Sequence, residues 1–311
     1  MLCFSRRPRV LSKLLFGAAV VMAALGLLPT IARAQIYVTS SGTTSVGDYN
    51  LNTGNVINVP LVTGVGSPTG LALSGSDLYV ANFNNGTIGE YNATTGAAIN
   101  ATLISGITDP EGLAISGSDL FVVGDTNGTI GEYNATTGAA INATLVSGLN
   151  DSPIGIAVSG GNLFVVNFGN GTISEFNAAG VSVNGTLVSG LVHPFFLAIV
   201  GTDIFVQNAN LGTVGEYTTS GGVVNTALIT GLSDPISIAA YGSDIFVENG
   251  INKTIGEYTT SGGIVNAALV TGLQPGPYNL VVVPEPSAWA LWAGGVAILF
   301  AGLGRRRNQI A

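Results

Sequence analysis

The pentapeptide Thr87-Ile88-Gly89-Glu90-Tyr91 returns at regular intervals along this chain of 311 residues. It recurs unchanged at Thr129–Tyr133, and varied copies end at other aromatic residues, with spacings of 42, 42, 43, 41 and 41 residues. A proline keeps the same period. The aromatic residues are Tyr49, Tyr91, Tyr133, Phe176, Tyr217 and Tyr258, and the prolines are Pro68, Pro110, Pro153, Pro194, Pro235 and Pro277. A fixed period of about 40 residues indicates a repeat protein.

Each period contains four short apolar segments separated by turn residues. Asn127-Gly128 tolerates positive φ in a tight hairpin turn, and the same dipeptide returns at Asn85-Gly86 and Asn170-Gly171. The segments are rich in the β-branched and aromatic residues that favour strands. In one period the predicted strands are Gly112–Ile115, Leu120–Val123, Thr129–Tyr133 and Ala143–Val146. Four antiparallel strands in each period predict the blade of a β-propeller.

The two ends of the repeat region together complete one further blade. Before Pro68 the sequence predicts only three strands, and after Leu269 it predicts only one. Pairing the last strand with the first three removes free sheet edges. These strands are Ile36–Val38, Ser45–Tyr49, Ile57–Leu61 and Leu280–Val283. We therefore predict an all-β fold: a six-bladed propeller of four-stranded antiparallel blades, closed by three N-terminal strands and one C-terminal strand.

Small residues recur on the first strand of the periods. Glycine precedes the strand centre in three periods, and alanine follows two residues later in five, as expected where inner strands crowd toward a common axis. The glycines are Gly70, Gly112 and Gly155, and the alanines are Ala72, Ala114, Ala157, Ala198 and Ala239. The unit Asp109–Ile115 followed by Asp119–Val122 resembles NHL-type repeats. This resemblance spans residues 35–283 and implies a six-bladed propeller.

The charge distribution argues against nucleic acid as a partner. Eight of the nine basic residues lie in the terminal segments, so residues 35–283 carry 16 acidic residues against Lys253 alone. A formal balance of 15 negative charges repels phosphate backbones. The single cysteine, Cys3, lies in the first segment, so the rest of the chain has no thiol and no disulfide.

The N-terminus predicts a signal peptide over residues 1–34. Basic residues precede the apolar stretch Leu14–Leu28, and Ala32-Arg33-Ala34 forms a small-x-small cleavage site, so the mature protein is expected to begin at Gln35. The basic residues are Arg6, Arg7, Arg9 and Lys13. A retained membrane anchor is the alternative, although the apolar run is short for one.

The C-terminus, residues 284–311, predicts a sorting tail. Pro284-Glu285-Pro286 precedes an apolar run over residues 288–304, and the run stops at Arg305-Arg306-Arg307. This order resembles the PEP-CTERM signal of Gram-negative bacteria. The resemblance implies that secretion machinery exports the chain, that the tail pauses in the inner membrane as a transmembrane helix, and that an exosortase removes it, releasing the protein to the cell surface or extracellular matrix. An ordinary membrane anchor is the alternative.

The candidate ligand site lies where two sets of loops are expected to meet at one end of the axis. These are the loops before the first strands and the loops joining second to third strands. Their Asn, Asp and His side chains are Asn82, Asp109, Asp125, Asn167, His193, Asn208, Asp234 and Asn249. Such oxygens could hold calcium, although Asn and Asp are also expected at turns for backbone reasons. His193 is a possible general base or an incidental loop residue.

The expected function is a binding or structural module rather than an enzyme. The blades are nearly identical, and no nucleophile elbow, phosphate loop with lysine or mature cysteine is present. Exopolysaccharide or surface proteins are possible partners. The alternative is a calcium-dependent lactonase-like hydrolase or lyase that uses the central funnel. It is prompted by the ring of Asn and Asp, because related six-bladed lactonases bind calcium through a Glu/Asn/Asn/Asp set.

Overall fold

The computed structural model describes residues 34–149 and 151–283. Within them the chain forms 24 strands in six four-stranded sheets. The predicted signal peptide, apart from Ala34, and the predicted sorting tail lie outside the described residues. In the part of the chain that is described, no helix has the length and apolar character needed to cross a membrane.

Each sheet has an inner, a second, a third and an outer strand. The inner strands are β4 (Pro68–Ser74), β8 (Pro110–Ser116), β12 (Pro153–Ser159), β16 (Leu197–Val200), β20 (Pro235–Tyr241) and β24 (Pro277–Val283). The second strands are β1 (Gln35–Ser40), β5 (Asp77–Asn82), β9 (Asp119–Gly124), β13 (Asn162–Asn167), β17 (Asp203–Asn208) and β21 (Asp244–Asn249).

The third and outer strands complete the sheets. The third strands are β2 (Ser45–Asn50), β6 (Thr87–Asn92), β10 (Thr129–Asn134), β14 (Thr172–Asn177), β18 (Thr213–Thr218) and β22 (Thr254–Thr259). The outer strands are β3 (Val56–Thr63), β7 (Ala98–Ser105), β11 (Ala140–Val146), β15 (Ser182–Val188), β19 (Val223–Ile229) and β23 (Ile264–Thr271). Two short 3₁₀ turns, Phe83–Asn85 and Ala209–Leu211, follow β5 and β17.

One blade joins the two ends of the described chain. Its strand order is β24-β1-β2-β3, and β24 pairs antiparallel with β1, with Ile36 opposite Val282 and Val38 opposite Leu280. The other five blades are meanders of consecutive strands. The structure therefore confirms the predicted six-bladed propeller and its closure by three N-terminal strands and one C-terminal strand.

The core lies between neighbouring blades, where each blade packs one face against the next. Ala72, Tyr79 and Ile88 of one blade contact Leu113 and Leu120 of the following one. Small and large apolar residues together fill the space between sheets. Ala72, Ala114 and Ala198 are buried in such clusters, and Ala198 and Ala239 also line the space around the axis.

Glycine sets how closely three of the inner strands approach. A Cβ atom at Gly70 would collide with the carbonyl oxygen of Glu111 on β8, and one at Gly112 would collide with that of Ile154 on β12. The inner strand β16 differs, because Phe196 stands at this position and the strand begins three residues after Pro194. A phenyl ring does not permit the close backbone approach that glycine allows.

A second contact repeats around the whole ring. The glycine in the turn between the third and outer strands packs on the leucine carbonyl of the preceding blade, as Gly96 does on Leu61 and Gly138 on Leu103. In the closing blade the same contact joins Gly54 to Leu269 on β23. The first and last blades are therefore packed against each other through the same contact as the internal ones.

Candidate binding site at the axial mouth

The loops before the inner strands meet the loops between second and third strands at one end of the propeller. Pro68 pairs with Asn82, Pro110 with Gly124, and Pro235 with Asn249. Backbone hydrogen bonds tie the two loops of each blade together: Asp125 N–H donates to the Asp109 carbonyl at 3.1 Å and Gly250 N–H to the Asp234 carbonyl at 3.0 Å. These candidate positions therefore share one face of the protein.

The residue before each inner-strand proline has left-handed backbone geometry. The φ values are 53° at Ser67, 47° at Asp109, 50° at Ser152, 52° at His193, 55° at Asp234 and 66° at Gly276. Asp, His and Ser enter this region more readily than bulky residues, and glycine does so freely. This backbone requirement accounts for the presence of Asp109, His193 and Asp234 at these positions.

The predicted ring of amides is engaged in bonds within the protein. The side-chain oxygens of Asn82, Asn208 and Asn249 accept backbone N–H groups of Gly66, Val192 and Ser233 at 3.3, 3.0 and 3.1 Å. Their amide nitrogens donate to a threonine hydroxyl across the hairpin. These three side chains hold the loops in place, and their oxygens are already occupied.

Asn167 departs from this arrangement. Its amide nitrogen donates to Thr172 at 3.0 Å and to Ser174 at 2.8 Å, and its oxygen is buried with no hydrogen-bond partner in the described structure. Ser174 stands where other repeats have glycine, so this bond is particular to one blade. Across residues 34–149 and 151–283, no group of three or more His, Cys, Asp or Glu side chains is arranged to hold a metal ion.

His193 belongs to a row of aromatic rings on this face. Its Nδ1 lies 2.6 Å from the Asn210 amide nitrogen, and its ring meets the edge of Phe168 at 5.1 Å between centroids. Phe168 contacts Phe195 at 5.0 Å, and Phe195 contacts Tyr278 at 6.3 Å. The histidine side chain is exposed, so the row runs from solvent toward the axis.

Three side chains that directly follow repeat prolines cross the axis. Two of them belong to inner strands, and the third lies just before an inner strand. Tyr278 on β24 reaches both Phe195, which leads into β16, and Glu111 on β8. Around the ring these three strands alternate with β4, β12 and β20. The contacts therefore bridge the centre of the propeller. We call Glu111, Phe195 and Tyr278, with neighbouring Phe168 and His193, the axial mouth.

Glu111 is the buried acid of the axial mouth. Its side chain is 6% exposed, and its Oε2 atom has no hydrogen-bond partner in the described structure. The pKa of this carboxyl is raised to about 8, chiefly by burial; a hydrogen bond with Tyr278 lowers it, and the charges of Asp125 and Asp109 contribute to the rise. The pKa of Tyr278 is also raised well above 10.0, chiefly by burial. Both groups therefore hold their protons at neutral pH.

Below this level the axial channel holds a cavity of about 220 Å³. Every inner strand contributes at least one aliphatic residue to its lining, and these include Leu71, Leu113, Ile156, Leu197, Ile238 and Leu280. Asn279, beside Leu280, also lines the cavity, and its oxygen accepts the Leu71 N–H at 3.0 Å.

The sequence does mark this site, but at positions on or next to the inner strands rather than in the loops. The residues directly after the six repeat prolines are Thr69, Glu111, Ile154, Phe195, Ile236 and Tyr278, although the second and third strands of the same periods repeat closely. The expectation of nearly identical blades is therefore wrong at this position. Glu111, Phe195 and Tyr278 were missed because they lie on the inner strands or lead into them, rather than in the loops between second and third strands.

Comparison with known proteins defines the class of the fold. No family model matches the chain, and no curated protein matches it. A chain from the crystal structure of a nidogen/laminin complex is similar, with a TM-score of 0.68 and 16% identity over 81% of this chain and 99% of that chain. The computationally designed Ika8 protein reaches a TM-score of 0.50 with 16% identity over 80% of this chain and 78% of that chain. Identity this low shows the fold alone, a β-propeller.

Proposed function

We propose that this chain is an exported binding module of the cell surface or extracellular matrix, with its ligand site at the axial mouth. The observation that supports it is the divergence at Glu111, Phe195 and Tyr278 within blades whose second and third strands repeat closely. A repeat protein in which packing alone matters has no need of different side chains at equivalent axial positions. The fold is also found in a nidogen/laminin complex, where one protein associates with another.

Binding is favoured over the calcium-dependent hydrolase or lyase because of the amides. That alternative requires Asn oxygens free to face the axis, whereas Asn82, Asn208 and Asn249 use theirs to hold backbone N–H groups. The acid at the mouth, Glu111, retains its proton near neutral pH. Exopolysaccharide and surface proteins remain the proposed partners.

The binding role predicts that mouth variants lose ligand. The exported protein is applied to an array of bacterial exopolysaccharides and surface proteins, beside a Phe195→Ala/Tyr278→Ala double variant. We expect the double variant to lose at least tenfold in affinity, because aromatic anchors in a partly buried site carry much of the binding energy. Tyr241→Ala is the matched control, since Tyr241 is an exposed aromatic residue at the far end of β20. Equal binding by both variants would place the ligand elsewhere.

Export is proposed from the two terminal segments. Mass spectrometry of the protein recovered from the cell surface of its host is expected to find Gln35 as the first residue and the segment after Pro286 missing. A Glu285→Ala variant is expected to retain its tail. In the structure Ala34 is buried and its carbonyl accepts the Leu51 N–H at 3.0 Å, so cleavage before Gln35 gives up one hydrogen bond. Recovery of the tail residues on the wild-type surface protein would refute exosortase processing.

A further inference from the structure

Negative charge from Asp109 and Asp125 acts on the axial mouth, and basic side chains are scarce in this part of the chain. Asp109 and Asp125 both act electrostatically on Glu111, and Asp125 also acts on Tyr278. The Asp109 carboxylate accepts a hydrogen bond from the Thr126 hydroxyl. Between residues 34 and 283 the sequence offers only Lys253 as a permanently basic side chain. An anionic ligand would therefore meet repulsion at the mouth, whereas a cation would be attracted.

The aromatic row adds a second preference for a cation. Phe168, Phe195 and Tyr278 follow one another with centroid separations of 5.0 and 6.3 Å. Aromatic faces attract ammonium groups within about 6 Å of the ring centre, most strongly where water is excluded. The Phe195 and Tyr278 rings stand at 79° to each other in an edge-to-face contact, so at least one of the two rings keeps its faces free of the other.

Glu111 leaves one acceptor unused beside these rings. Its Oε2 atom is buried without a partner, while its side chain is 6% exposed. Buried polar atoms of native proteins almost always find a partner, in the protein, in water or in a ligand. An N–H donor or a fixed positive charge placed beside Phe195 and Tyr278 would provide one.

Resting on the proposed binding role, we infer that the axial mouth binds an ammonium group, held against the Phe195 and Tyr278 rings with the Glu111 carboxylate as its counter-ion. The group is the charged end of a free organic amine or of a lysine side chain on a partner protein. Both sources present the same chemistry to the mouth.

This inference has a specific pH signature. Because burial raises the pKa of Glu111 to about 8, the carboxyl must lose its proton to act as a counter-ion. Ammonium binding therefore releases up to one proton, and affinity rises with pH by up to about tenfold per unit until the pH passes about 8. Asp109, Asp125 and Tyr278 also face this carboxyl. Tyr278 retains its proton throughout, since its pKa is raised well above 10.0.

The test is a calorimetric titration of the exported protein with three small probes at pH 6 and pH 8. Tetramethylammonium represents a free amine, N-acetyl-lysine methylamide represents a protein side chain, and neopentyl alcohol is an uncharged analogue of similar shape. We expect at least one ammonium probe to bind at least tenfold more tightly at pH 8, with proton release measured in buffers of different ionisation enthalpy. The tighter ammonium probe identifies the source, and the alcohol is expected to show no pH dependence.

Glu111→Gln separates charge from shape. This variant keeps the side-chain volume, and we expect it to lose both the proton release and at least tenfold of the ammonium affinity at pH 8. Tyr241→Ala is expected to behave as the wild type, and thermal unfolding checks that each variant is folded. Unchanged affinity in Glu111→Gln, or equal binding of the alcohol, would overturn the inference. If no probe binds while the Phe195→Ala/Tyr278→Ala variant still loses its array ligand, the ammonium inference fails and the proposed binding role stands.

Discussion

Replacing Glu248 with glutamine is expected to raise the free energy of unfolding at pH 9 by several kcal/mol and to change it little at pH 4. Glu248 lies on β21 with no exposed surface, and both of its carboxyl oxygens lack hydrogen-bond partners in the described structure. Burial raises the pKa of this carboxyl from 4.5 to about 8. Charging it in the folded protein is therefore costly.

The sign of the pH dependence follows from which state holds the proton. Between pH 4.5 and about 8 the unfolded chain has released the Glu248 proton, whereas the folded chain still holds it. Stability therefore falls as the pH rises through this range and stays low above it. Since one pKa unit corresponds to about 1.4 kcal/mol, the change from 4.5 to about 8 sets an upper bound of about 5 kcal/mol.

Glutamine fits at this position because the neighbouring blade already uses it. Gln207 occupies the equivalent place on β17 and donates to the Ile236 carbonyl of the next inner strand at 2.8 Å. Thr39 on β1 acts in the same way, donating to the Thr69 carbonyl at 3.0 Å. A glutamine at residue 248 is expected to reach the corresponding carbonyl of β24 through its amide nitrogen, while its oxygen stays unpaired as that of Gln207 does. The variant therefore replaces an acid with two unpaired oxygens by a neutral amide with one.

Chemical denaturation at several pH values measures this effect. Glu132→Gln is the control, because Glu132 is partly exposed on β10 and solvent weakens the effect of burial on its pKa. Its curve is expected to follow the wild type closely. Glu111 and Asp48 also have raised pKa values, about 8 and about 7, so some pH dependence remains in every variant. A Glu248→Gln curve parallel to the wild type between pH 4 and pH 9 would contradict the prediction.

Replacing Gly70 with alanine is expected to destabilise the propeller by about 3 kcal/mol or more. The added methyl group would collide with the Glu111 carbonyl oxygen on the neighbouring inner strand. Backbone atoms cannot rotate away as a flexible side chain can, so two strands near the axis must separate. Thermal and urea unfolding of the variant give the measurement.

Gly185→Ala provides a matched control on the outer strand β15. A Cβ atom there would have only the Ser182 hydroxyl oxygen nearby, at 3.9 Å, and the backbone does not have left-handed geometry. The same chemical change is therefore expected to leave stability within about 0.5 kcal/mol of the wild type. Similar losses in both variants would mean that close approach of the inner strands is not what Gly70 provides.

The architecture could be predicted because it depends on local, repeated information. The period of Pro68, Pro110 and their equivalents fixed the number of blades, and the count of strands before Pro68 and after Leu269 fixed the closure. Observed strands extend beyond the predicted ones by one to three residues, as Pro110–Ser116 does beyond Gly112–Ile115. Strand pairing continues through polar residues that apolar patterns do not include.

The axial mouth could not be predicted in the same way because its contacts cross the ring. Tyr278 meets Glu111 only once the six inner strands have been placed around one axis. The inward hydrogen bonds of Asn82, Asn208 and Asn249 likewise depend on loop geometry that the sequence does not display. The Asn and Asp residues of the loops fit the prediction that they occupy turns. The direction of their side chains could not be predicted from the sequence.

The pairing of β24 with β1 also constrains when the molecule can be completed. Thr39 and Asn279 are joined by a hydrogen bond across 240 residues of chain. A ribosome or a secretion channel releases the N-terminal end first. One backbone edge of β1 therefore stays unpaired until β24, the last strand of the ring, has emerged. During that interval the nascent protein exposes a strand edge with which other chains can pair, and this is the stage at which a chaperone would protect it.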